Sequence, residues 1–510
     1  MEGIQLPPPP STPEKPPCNI LRTPPDQSRP FNLLREKAGN PFATLSTVVR
    51  TPPRNEPRNL SSKSDSGRLS SKDSPGSPYF ELAREECIFV GDKFLSLDAM
   101  SGMCLYKKTQ NFNDITFITA IESALTTVLD LNPILTGYIV KKKHSVTGHN
   151  GVFVKTKCFQ LEDILKVTYM EVDESFQIPS DERDMVNYVI GVCGHLPARL
   201  GTGYTQIKNK SQLCLINVIA LPDNEHMVIR ISLSHAIADG YTCNKIISQF
   251  NQSLQGKIIT PLRWEAPSIV DNRIYSWFEK FFMVIWGFFL SYVDNLYTFL
   301  WSLPSLRAGV NFVFVNNAAV ERVRSEVKTK CNKYISDNDI ILSAISRKVQ
   351  KSVTVYAFNA RCHVDGITTD LAGNWIDHLT LHKKNCVDPS DIRSNLSNMY
   401  DVSLRPAILD YANFLQPGVA LNTNITEYSM SLYFPSHLEW ICFIPMIDGI
   451  RRQPCWRNTV TFKLNNDTTM ICCGCHKTYQ ELLAKSRCNN DDDDPYDEIF
   501  TLSKGVIQSK

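Results

Sequence analysis

Alternating apolar residues run along VIRISLSHAIADGYT, residues 228–242, and predict a β-strand that ends at a histidine. His235 continues the apolar face, so a straight strand points its imidazole towards a core or a cleft. Partial desolvation disfavours the imidazolium form, and the sequence therefore predicts a neutral histidine that can accept a proton. The residues that define this apolar face are Met227, Ile229, Ile231 and Leu233.

Three stretches show the repeat of amphipathic helices. In NDITFITAIESALTTVLDLN, residues 113–132, Asn113 or Asp114 is the expected N-cap. SDNDIILSAISRKVQKS, residues 336–352, begins with a similar capping signal, and YTCNKIISQFNQSL, residues 241–254, follows the Asp-Gly pair directly. The predicted apolar stripes of the first two helices are Phe117, Ile118, Ile121, Leu125 and Leu129, and Ile340, Ile341, Ala344, Ile345 and Val349.

Short apolar or alternating runs between turn signals predict the strands. They lie in ECIFVGDKFLSLDAM, PILTGYIVKK (started by Pro133), GVFVKTKCF, LCLINVIAL, VTVYAFNAR, SMSLYFP, WICFIPMI and NTVTFKLN. Strands and helices mix in both halves of the chain, and no repeat at solenoid periods is evident. We therefore expect a two-lobed α/β protein.

Changes in composition divide the chain into five segments. Residues 1–78 hold sixteen of the thirty prolines and bury too little apolar surface to offset their ordering entropy, so they are predicted to be a disordered arm. The first lobe is expected at 79–265 and the second at 311–485, joined by an aromatic connector at 266–310. Residues 486–510 contain RCNNDDDDPYDE and are predicted to be a solvated acidic tail.

The connector contains the most apolar stretch, WFEKFFMVIWGFFLSYVDNLYTFLWSLPSL at 277–306. Its uninterrupted run, 281–293, is shorter than the roughly 20 residues that a spanning helix needs. Two interpretations stay open: a helix buried between the lobes, or a peripheral membrane contact flanked by Trp, Tyr, Lys and Arg. A membrane-spanning helix is less favoured.

Charge and cysteine content narrow the classes of function. A net charge of +2, without a basic stripe of interleaved aromatics, argues against a nucleic-acid partner. Sixteen cysteines are many, but no apolar secretory segment follows MEGIQLPPPP, so we expect reduced thiols in the cytoplasm or at the cytosolic face of a membrane such as the endoplasmic reticulum. CCGCH, residues 472–476, lacks a second Cys/His pair at finger spacing and is interpreted as a strand of buried thiols, not as a metal site.

The spacing His-x3-Asp-Gly at 235–240 is a weak pattern alone, because Asp-Gly is a common turn dipeptide. With its surroundings, SHAIADG resembles the active-site motif of the CoA-dependent acyltransferase superfamily, which includes chloramphenicol acetyltransferase, the plant BAHD enzymes, condensation domains and the wax ester synthase/diacylglycerol acyltransferases. Other segments resemble that superfamily's landmarks in the same order: FLSLDAM, NPILTGYI, SDNDIILSAI, NARCHVDGITTDLAGNW and NTNI. The resemblance covers about residues 79–479.

Two departures leave the subgroup open. Ser234 stands where the wax ester and condensation groups usually carry a first histidine. The BAHD hallmark Asp-Phe-Gly-Trp-Gly is absent, and FPSHLEWICFIPM lies in that region instead. The resemblance implies an α/β fold of two similar lobes like those of chloramphenicol acetyltransferase, each a mixed sheet with flanking helices, with an active-site tunnel between them. We expect a monomer.

The resemblance also implies roles for the motif residues. His235 is the general base that takes the proton of the acceptor hydroxyl, and no covalent acyl-enzyme is implied. Asp239 is expected to pair with Arg361 and fix the loop. Gly240 is expected to let the backbone pass close to the cleft without a side chain.

Residues of the second lobe complete the expected site. The tetrahedral oxyanion needs a hydrogen-bond donor near its final position, and Thr423 or Asn424 is expected to supply it. Asn374, in the Gly-Asn pair, is a further candidate for oxyanion or substrate binding. His363, in RCHVDG, is interpreted as a structural histidine.

The sequence therefore predicts a CoA-dependent O-acyltransferase with acyl-CoA as co-substrate, an alcohol as acceptor, no tightly bound cofactor and no metal. The aromatic connector favours a lipophilic alcohol or acyl chain, as in lipid metabolism. Two alternatives stay open: condensation-type amide or ester formation from a carrier-protein thioester, and a non-catalytic binding scaffold of the same fold. The absence of a visible carrier domain counts against the first, and the joint presence of His235, Asp239 and Gly240 counts against the second.

Overall fold

The computed structural model describes residues 47–49, 79–84, 99–143, 150–173, 175–194, 200–265, 311–349, 353–359, 361, 367–382, 386–397, 419–426, 431–434, 437–446, 459–474, 476–484 and 494–502. Its helices are α1 Asp114–Leu131, α2 Leu161–Ile164, α3 Glu182–Gly194, α4 Gly203–Asn209, α5 Gly240–Leu254, α6 Asn317–Cys331, α7 Asp337–Lys348, α8 Pro389–Ser397 and α9 His476–Leu483. Its strands are β1 Thr47–Val49, β2 Tyr79–Arg84, β3 Met100–Lys108, β4 Tyr138–Lys143, β5 Asn150–Lys155, β6 Leu165–Met170, β7 Cys214–Ala220, β8 His226–Leu233, β9 Arg263–Trp264, β10 Asn311–Val315, β11 Val353–Asn359, β12 Leu371–Ala372, β13 Ile376–His382, β14 Val419–Asn424, β15 Leu438–Met446, β16 Thr459–Lys463, β17 Thr469–Cys473 and β18 Phe500–Thr501.

The sheet of the first lobe has the strand order β1-β6-β7-β8-β3-β15 over the described residues. Strands β6 and β7 run parallel, and the other neighbours run antiparallel. Every residue of β7 is buried, which is typical of a strand that is covered on both faces. Helices α1 and α5 pack against each other in this lobe, and β2, β5 and β4 form a separate three-stranded sheet.

Strand β8 is shorter than predicted, and both of its faces are covered. It ends at Leu233, two residues before the histidine. Its polar face is also covered, since Arg230 and Ser232 are each 1% exposed. Ser232 Oγ accepts a hydrogen bond from Ser101 Oγ on β3 at 2.7 Å, which compensates for the loss of water at that hydroxyl. Alternation along β8 therefore reflects polar pairing inside the protein and not a solvated face.

The sheet of the second lobe has the order β13-β11-β14-β16-β17-β10-β18 within the described part of the chain. Its centre is parallel, from β11 through β14 to β16, and its margins are antiparallel. The apolar stripe predicted for α7 lies in a core with β10 and β17, and all five of its residues are buried. Mixed sheets with flanking helices occur in both halves, as predicted.

Two strand pairings cross between the halves of the sequence. Strand β15 leaves the second half and completes the first sheet beside β3, with Phe443 opposite Cys104. Strand β12 pairs in parallel with β9, with Ala372 opposite Trp264. Residues 438–446 therefore belong to the sheet of the first lobe, although composition assigned them to the second.

Local capping signals predicted the helix starts correctly. Asn113 accepts a hydrogen bond from the Thr116 amide at 3.0 Å at the start of α1. Ser336 and Asp339 form a reciprocal capping box at the start of α7. The strands predicted in GVFVKTKCF, LCLINVIAL, VTVYAFNAR, WICFIPMI and NTVTFKLN are present as β5, β7, β11, β15 and β16.

Two predicted strands are corrected. Residues Pro133–Thr136 form a 3₁₀ helix, and the strand begins only at Tyr138. The proline suits the first turn of a helix because it has no N–H to leave unpaired there. Within SMSLYFP, residues 431–434 form no strand, and Leu432 is instead held by Tyr106, whose hydroxyl accepts from its amide at 2.7 Å.

Both terminal segments contain residues that pack on the lobes. Thr47–Val49, inside the arm predicted to be disordered, forms the edge strand β1 beside β6. Residues 494–502, inside the predicted acidic tail, contribute β18 to the second sheet and bury Tyr496, Ile499 and Phe500. The prediction of a solvated tail is therefore wrong for this stretch, because its apolar residues cover the core beside α6 and α7.

The aromatic connector lies outside the described residues, as do residues 94–98 of the FLSLDAM segment and His363. Its burial or membrane contact stays a prediction from the sequence. Among the helices that the structure describes, none is both long enough and apolar enough to cross a membrane.

Candidate active site

The predicted base lies on a tight turn between β8 and α5. Ser234 N donates to Leu213 O at 2.8 Å, and Ile237 N donates back to Ser234 O at 3.1 Å. The turn, residues 234–239, begins where the strand ladder ends, so the imidazole of His235 leaves the sheet and is half-buried. Ala236 and Ile237 on the same turn are buried in the first-lobe core. The turn is therefore anchored on both sides of the histidine.

Ser234 occupies a core position. It is fully buried, and its hydroxyl donates to Gln206 Oε1 on α4 at 2.5 Å. Its Oγ also accepts from the Ala236 amide at 3.3 Å. Ser234, which departs from the two-histidine pattern, therefore tightens the turn through its own hydroxyl.

Asp239 is the N-cap of α5, and its carboxylate is saturated. Oδ1 accepts from the Thr242 amide at 2.8 Å, as an N-cap residue does. Oδ2 accepts from the Trp375 amide at 2.8 Å and from Arg361 Nη1 at 2.7 Å. The Asp239 and Arg361 side chains are 1% and 0% exposed, so this ion pair is fully desolvated. The expected pairing of Asp239 with Arg361 is present.

The guanidinium of Arg361 is also fully engaged. Nε donates to Leu371 O at 2.9 Å, Nη1 to Asn359 Oδ1 at 3.0 Å, and Nη2 to Thr242 Oγ1 at 2.9 Å. The Tyr241 ring lies 4.5 Å from its central carbon. A carboxylate and a guanidinium with all their positions filled have no capacity left for a substrate, so the pair is structural.

The second-lobe loop at 371–375 meets the turn from the opposite side. Gly373 has φ of +131°, a conformation that favours glycine, and a Cβ added there would lie 2.9 Å from Glu265 O. Thr242 Oγ1 donates to Gly373 O at 2.8 Å and accepts from Gly373 N at 3.1 Å. Asn374 Nδ2 donates to His235 O at 2.5 Å. The two lobes therefore join at the turn that carries the histidine.

The other predicted site residues are placed differently. Thr423 is half-buried on β14, opposite Ala357 and Val460 of the neighbouring strands. Asn424 Oδ1 accepts from the amide and the hydroxyl of Thr426, both at 2.8 Å, and its Nδ2 donates to Asn338. These contacts hold Asn424 within the second lobe, which weakens its case as an oxyanion donor relative to Thr423.

Asn374 and Gly240 also have definite positions. Asn374 was expected to bind the oxyanion or the substrate, but its amide nitrogen is used by a backbone carbonyl of the turn. Gly240 is the first residue of α5, directly after the Asp239 cap. Sequence reasoning missed Thr242 and Gln206, which hold the turn. Only Thr242 had a local signal, since it lies three residues after a capping aspartate.

The cysteines do not form a nucleophilic or metal-binding site within the described residues. None of the described cysteines forms a disulfide, and Cys472 and Cys473 are buried on β17, as predicted for CCGCH. Burial raises the pKa of the Cys214 thiol to about 12, which keeps it protonated at neutral pH. Among the described side chains, no group of three His, Cys, Asp or Glu residues is placed to hold a metal ion.

Solved structures share the fold, whereas no family model and no curated protein matches the sequence. F. graminearum TRI101 complexed with coenzyme A and T-2 mycotoxin aligns with TM-score 0.52 and 13% identity, over 79% of this chain and 97% of that one. F. sporotrichioides TRI101 complexed with coenzyme A and T-2 aligns with TM-score 0.51 and 12% identity, over 80% and 97%. Vinorine synthase aligns with TM-score 0.52 and 11% identity, over 86% and 97%.

These matches confirm the predicted fold class, two lobes of mixed α/β structure. At 11–13% identity, the likeness is one of fold. The alignments span nearly the whole of each solved chain, so both lobes take part in the likeness.

Proposed function

We propose that the protein transfers an acyl group from acyl-CoA to the hydroxyl of an acceptor, with His235 as general base. The observation that carries this proposal is the difference between two neighbouring ionisable residues. Asp239 is locked into the Arg361 pair, whereas His235 lies half-buried on the turn that joins the lobes. Of the two, only the histidine has an environment suited to proton transfer.

In the proposed reaction, His235 accepts the hydroxyl proton while the acceptor oxygen attacks the thioester carbonyl. A C–O bond forms, and the tetrahedral oxyanion then collapses with cleavage of the C–S bond. The proton passes from the imidazolium to the CoA thiolate, so an ester and free CoA leave and the base is regenerated. Thr423 is the preferred candidate to donate to the oxyanion, because its strand neighbour Asn424 is held by Asn338 and Thr426.

The acceptor class rests on two separate supports. Both TRI101 structures contain coenzyme A with a small molecule named T-2, which supports CoA together with a small acceptor. The apolar sequence at 277–306 supports a lipophilic alcohol or acyl chain, and a peripheral membrane contact on the cytosolic side. No tightly bound cofactor is needed for this chemistry.

Free-thiol release tests the proposal. Acetyl-, hexanoyl- and palmitoyl-CoA are each incubated with the protein, alone and with short alcohols, long-chain alcohols and diacylglycerol, and the product is identified by mass spectrometry. We expect thiol release that depends on the acceptor and yields an ester. Amide products, or activity only with a carrier-protein thioester, support the condensation-type alternative. No acceptor-dependent release from a correctly folded protein contradicts the proposal and favours a binding scaffold.

A further inference from the structure

One second-lobe loop contacts both ends of the turn that carries His235. At the first end, Asn374 Nδ2 donates to the carbonyl oxygen of His235 itself. At the second end, the Asp239 amide donates to Gly373 O at 3.2 Å, and Trp375 N donates to the Asp239 carboxylate. Three consecutive residues of the second lobe therefore bind a six-residue turn of the first lobe.

The Asn374 contact directly concerns the orientation of the histidine. A hydrogen bond to the carbonyl of His235 restrains the peptide plane that follows its Cα, and this plane sets the direction of the Cα–Cβ bond. The contact is short and Asn374 is only 3% exposed, so water does not compete for the carbonyl.

The hydrogen bonding of the Asn374 side chain is incomplete, so this residue does not maximise the stability of the fold. Its Oδ1 is buried and accepts no hydrogen bond from any described residue. A buried acceptor without a donor opposes folding, so the side chain is placed for the contact that its amide nitrogen makes. Such a residue is expected to contribute more to the geometry of the site than to the free energy of unfolding.

Two features fix the position of Asn374 relative to His235. Gly373 takes a positive φ that turns the chain against Glu265, where a Cβ has no room. Thr242 binds both the N–H and the carbonyl of that glycine through one hydroxyl. The position of Asn374 is therefore set by the first helix turn after the Asp239 cap.

We propose that Asn374 is a positioning residue for His235, which fixes the imidazole from across the lobe interface. The inference rests on the proposed function, in which His235 is the base, and deepens it. The base reaches its working position only when the second lobe is docked. Because small displacements of a catalytic group cost large factors in rate, loss of the contact lowers turnover more than substrate binding.

The kinetic test compares Asn374→Ala and Asn374→Asp with a matched control. Asn251→Ala also removes an amide that donates to a backbone carbonyl, Ser431 O at 3.0 Å, but lies on α5 away from the turn. We expect both Asn374 variants to lower kcat about 10- to 100-fold. The KM for acyl-CoA stays within about three-fold and the melting temperature within about 3 °C, and the control keeps its kcat.

The pH profile of Asn374→Asp separates positioning from a structural role. An ionised carboxylate cannot donate to the His235 carbonyl, but a protonated one can, and burial favours the protonated form. The kcat of Asn374→Asp relative to wild type should therefore rise as the pH falls from 8 to 6. A flat ratio, a loss that falls entirely in KM, or kcat within two-fold of wild type for both variants overturns the proposal.

An NMR measurement that needs no turnover separates the positioning role of Asn374 from the proposed acyl transfer. The protein contains ten histidines, and the ring signal of His235 in ¹³C-histidine spectra is identified by its loss in His235→Ala. We expect Asn374→Ala to shift or broaden that signal and Asn251→Ala to leave it in place. If wild type transfers no acyl group, the proposed function fails while this shift still tests positioning. If wild type is active and the signal does not move in Asn374→Ala, positioning fails alone.

Discussion

At the scale of single residues, two ionisable groups four positions apart have opposite surroundings. Asp239 caps a helix, pairs with Arg361 and is sealed from water, whereas His235 stands where the strand ladder has ended. The spacing of His235 and Asp239 is a weak signal alone, and the resemblance of SHAIADG to a known motif was needed to select both residues from the sequence. Their partner Arg361 lies 122 positions away from Asp239 and was found only through the resemblance, because no local pattern encodes a contact across the chain.

The first prediction concerns the base. His235→Ala should lower acyl transfer by on the order of 10²–10⁴-fold, because general base catalysis has that typical worth. The fold should survive, since the side chain is only half-buried. The control is His226→Ala at the other end of β8, where the imidazole contacts Asp223 at 2.7 Å, and it should keep full transfer. Transfer by His235→Ala within a few-fold of wild type contradicts the mechanism.

A second prediction separates the structural anion from the base. Asp239→Asn keeps an oxygen to cap α5 but sets an NH₂ group against Arg361 Nη1 or the Trp375 amide, which are both donors. We expect the free energy of unfolding to fall by about 3–5 kcal/mol, as when a buried ion pair loses one partner, and activity to fall with it. Thermal and denaturant unfolding measure the loss.

The exposed Arg322–Glu498 pair is the control for that experiment. Its side chains are 49% and 64% exposed, so Glu498→Gln should cost less than about 1 kcal/mol. Asp239→Asn with normal stability and lost activity would show that Asp239 acts in the chemistry and was assigned wrongly.

At the scale of elements, helices followed from local signals and several strands did not. The caps at Asn113 and Ser336 use side chains within one turn, so the sequence contained the whole interaction. Residues 431–434 have an apolar pattern that fits a strand, but Tyr106 binds Leu432 from 326 positions away and no ladder forms. Competition between such distant partners is invisible to a pattern of neighbouring residues.

The C-terminal strand supplies the element-scale prediction. Removing residues 494–510 uncovers the surface that Tyr496, Ile499 and Phe500 bury beside α6 and α7. At roughly 1.5–3 kcal/mol for each large apolar side chain, the free energy of unfolding should fall by about 5 kcal/mol or more. Removing only 503–510 keeps β18 and should leave the melting temperature unchanged, and equal melting temperatures for the two truncations would contradict the described packing.

At the scale of the whole molecule, the aromatic connector predicts where in the cell the protein lies. The sequence at 281–299 holds too much aromatic surface to face water, so a lobe, a ligand or a lipid must cover it. We expect the protein to fractionate with membranes and charged substitutions at Phe282 and Phe289 to release it. Alkaline carbonate should extract the protein if the contact is peripheral. A fully soluble wild type whose melting temperature collapses on those substitutions would show that the segment belongs to the core.

The crossing strand β15 has a consequence for biosynthesis. On the ribosome, β3 leaves the exit tunnel long before residues 438–446 are made, and at about 5–20 residues per second this interval lasts tens of seconds. During that time β3 is an open edge, and its own apolar residues include Met103 and Leu105, which are fully buried in the finished protein. The nascent first lobe therefore has an unpaired β3 edge until residues 438–446 have been synthesised. A fragment that stops at residue 265 lacks β15 and keeps β3 as an open edge, so it should aggregate.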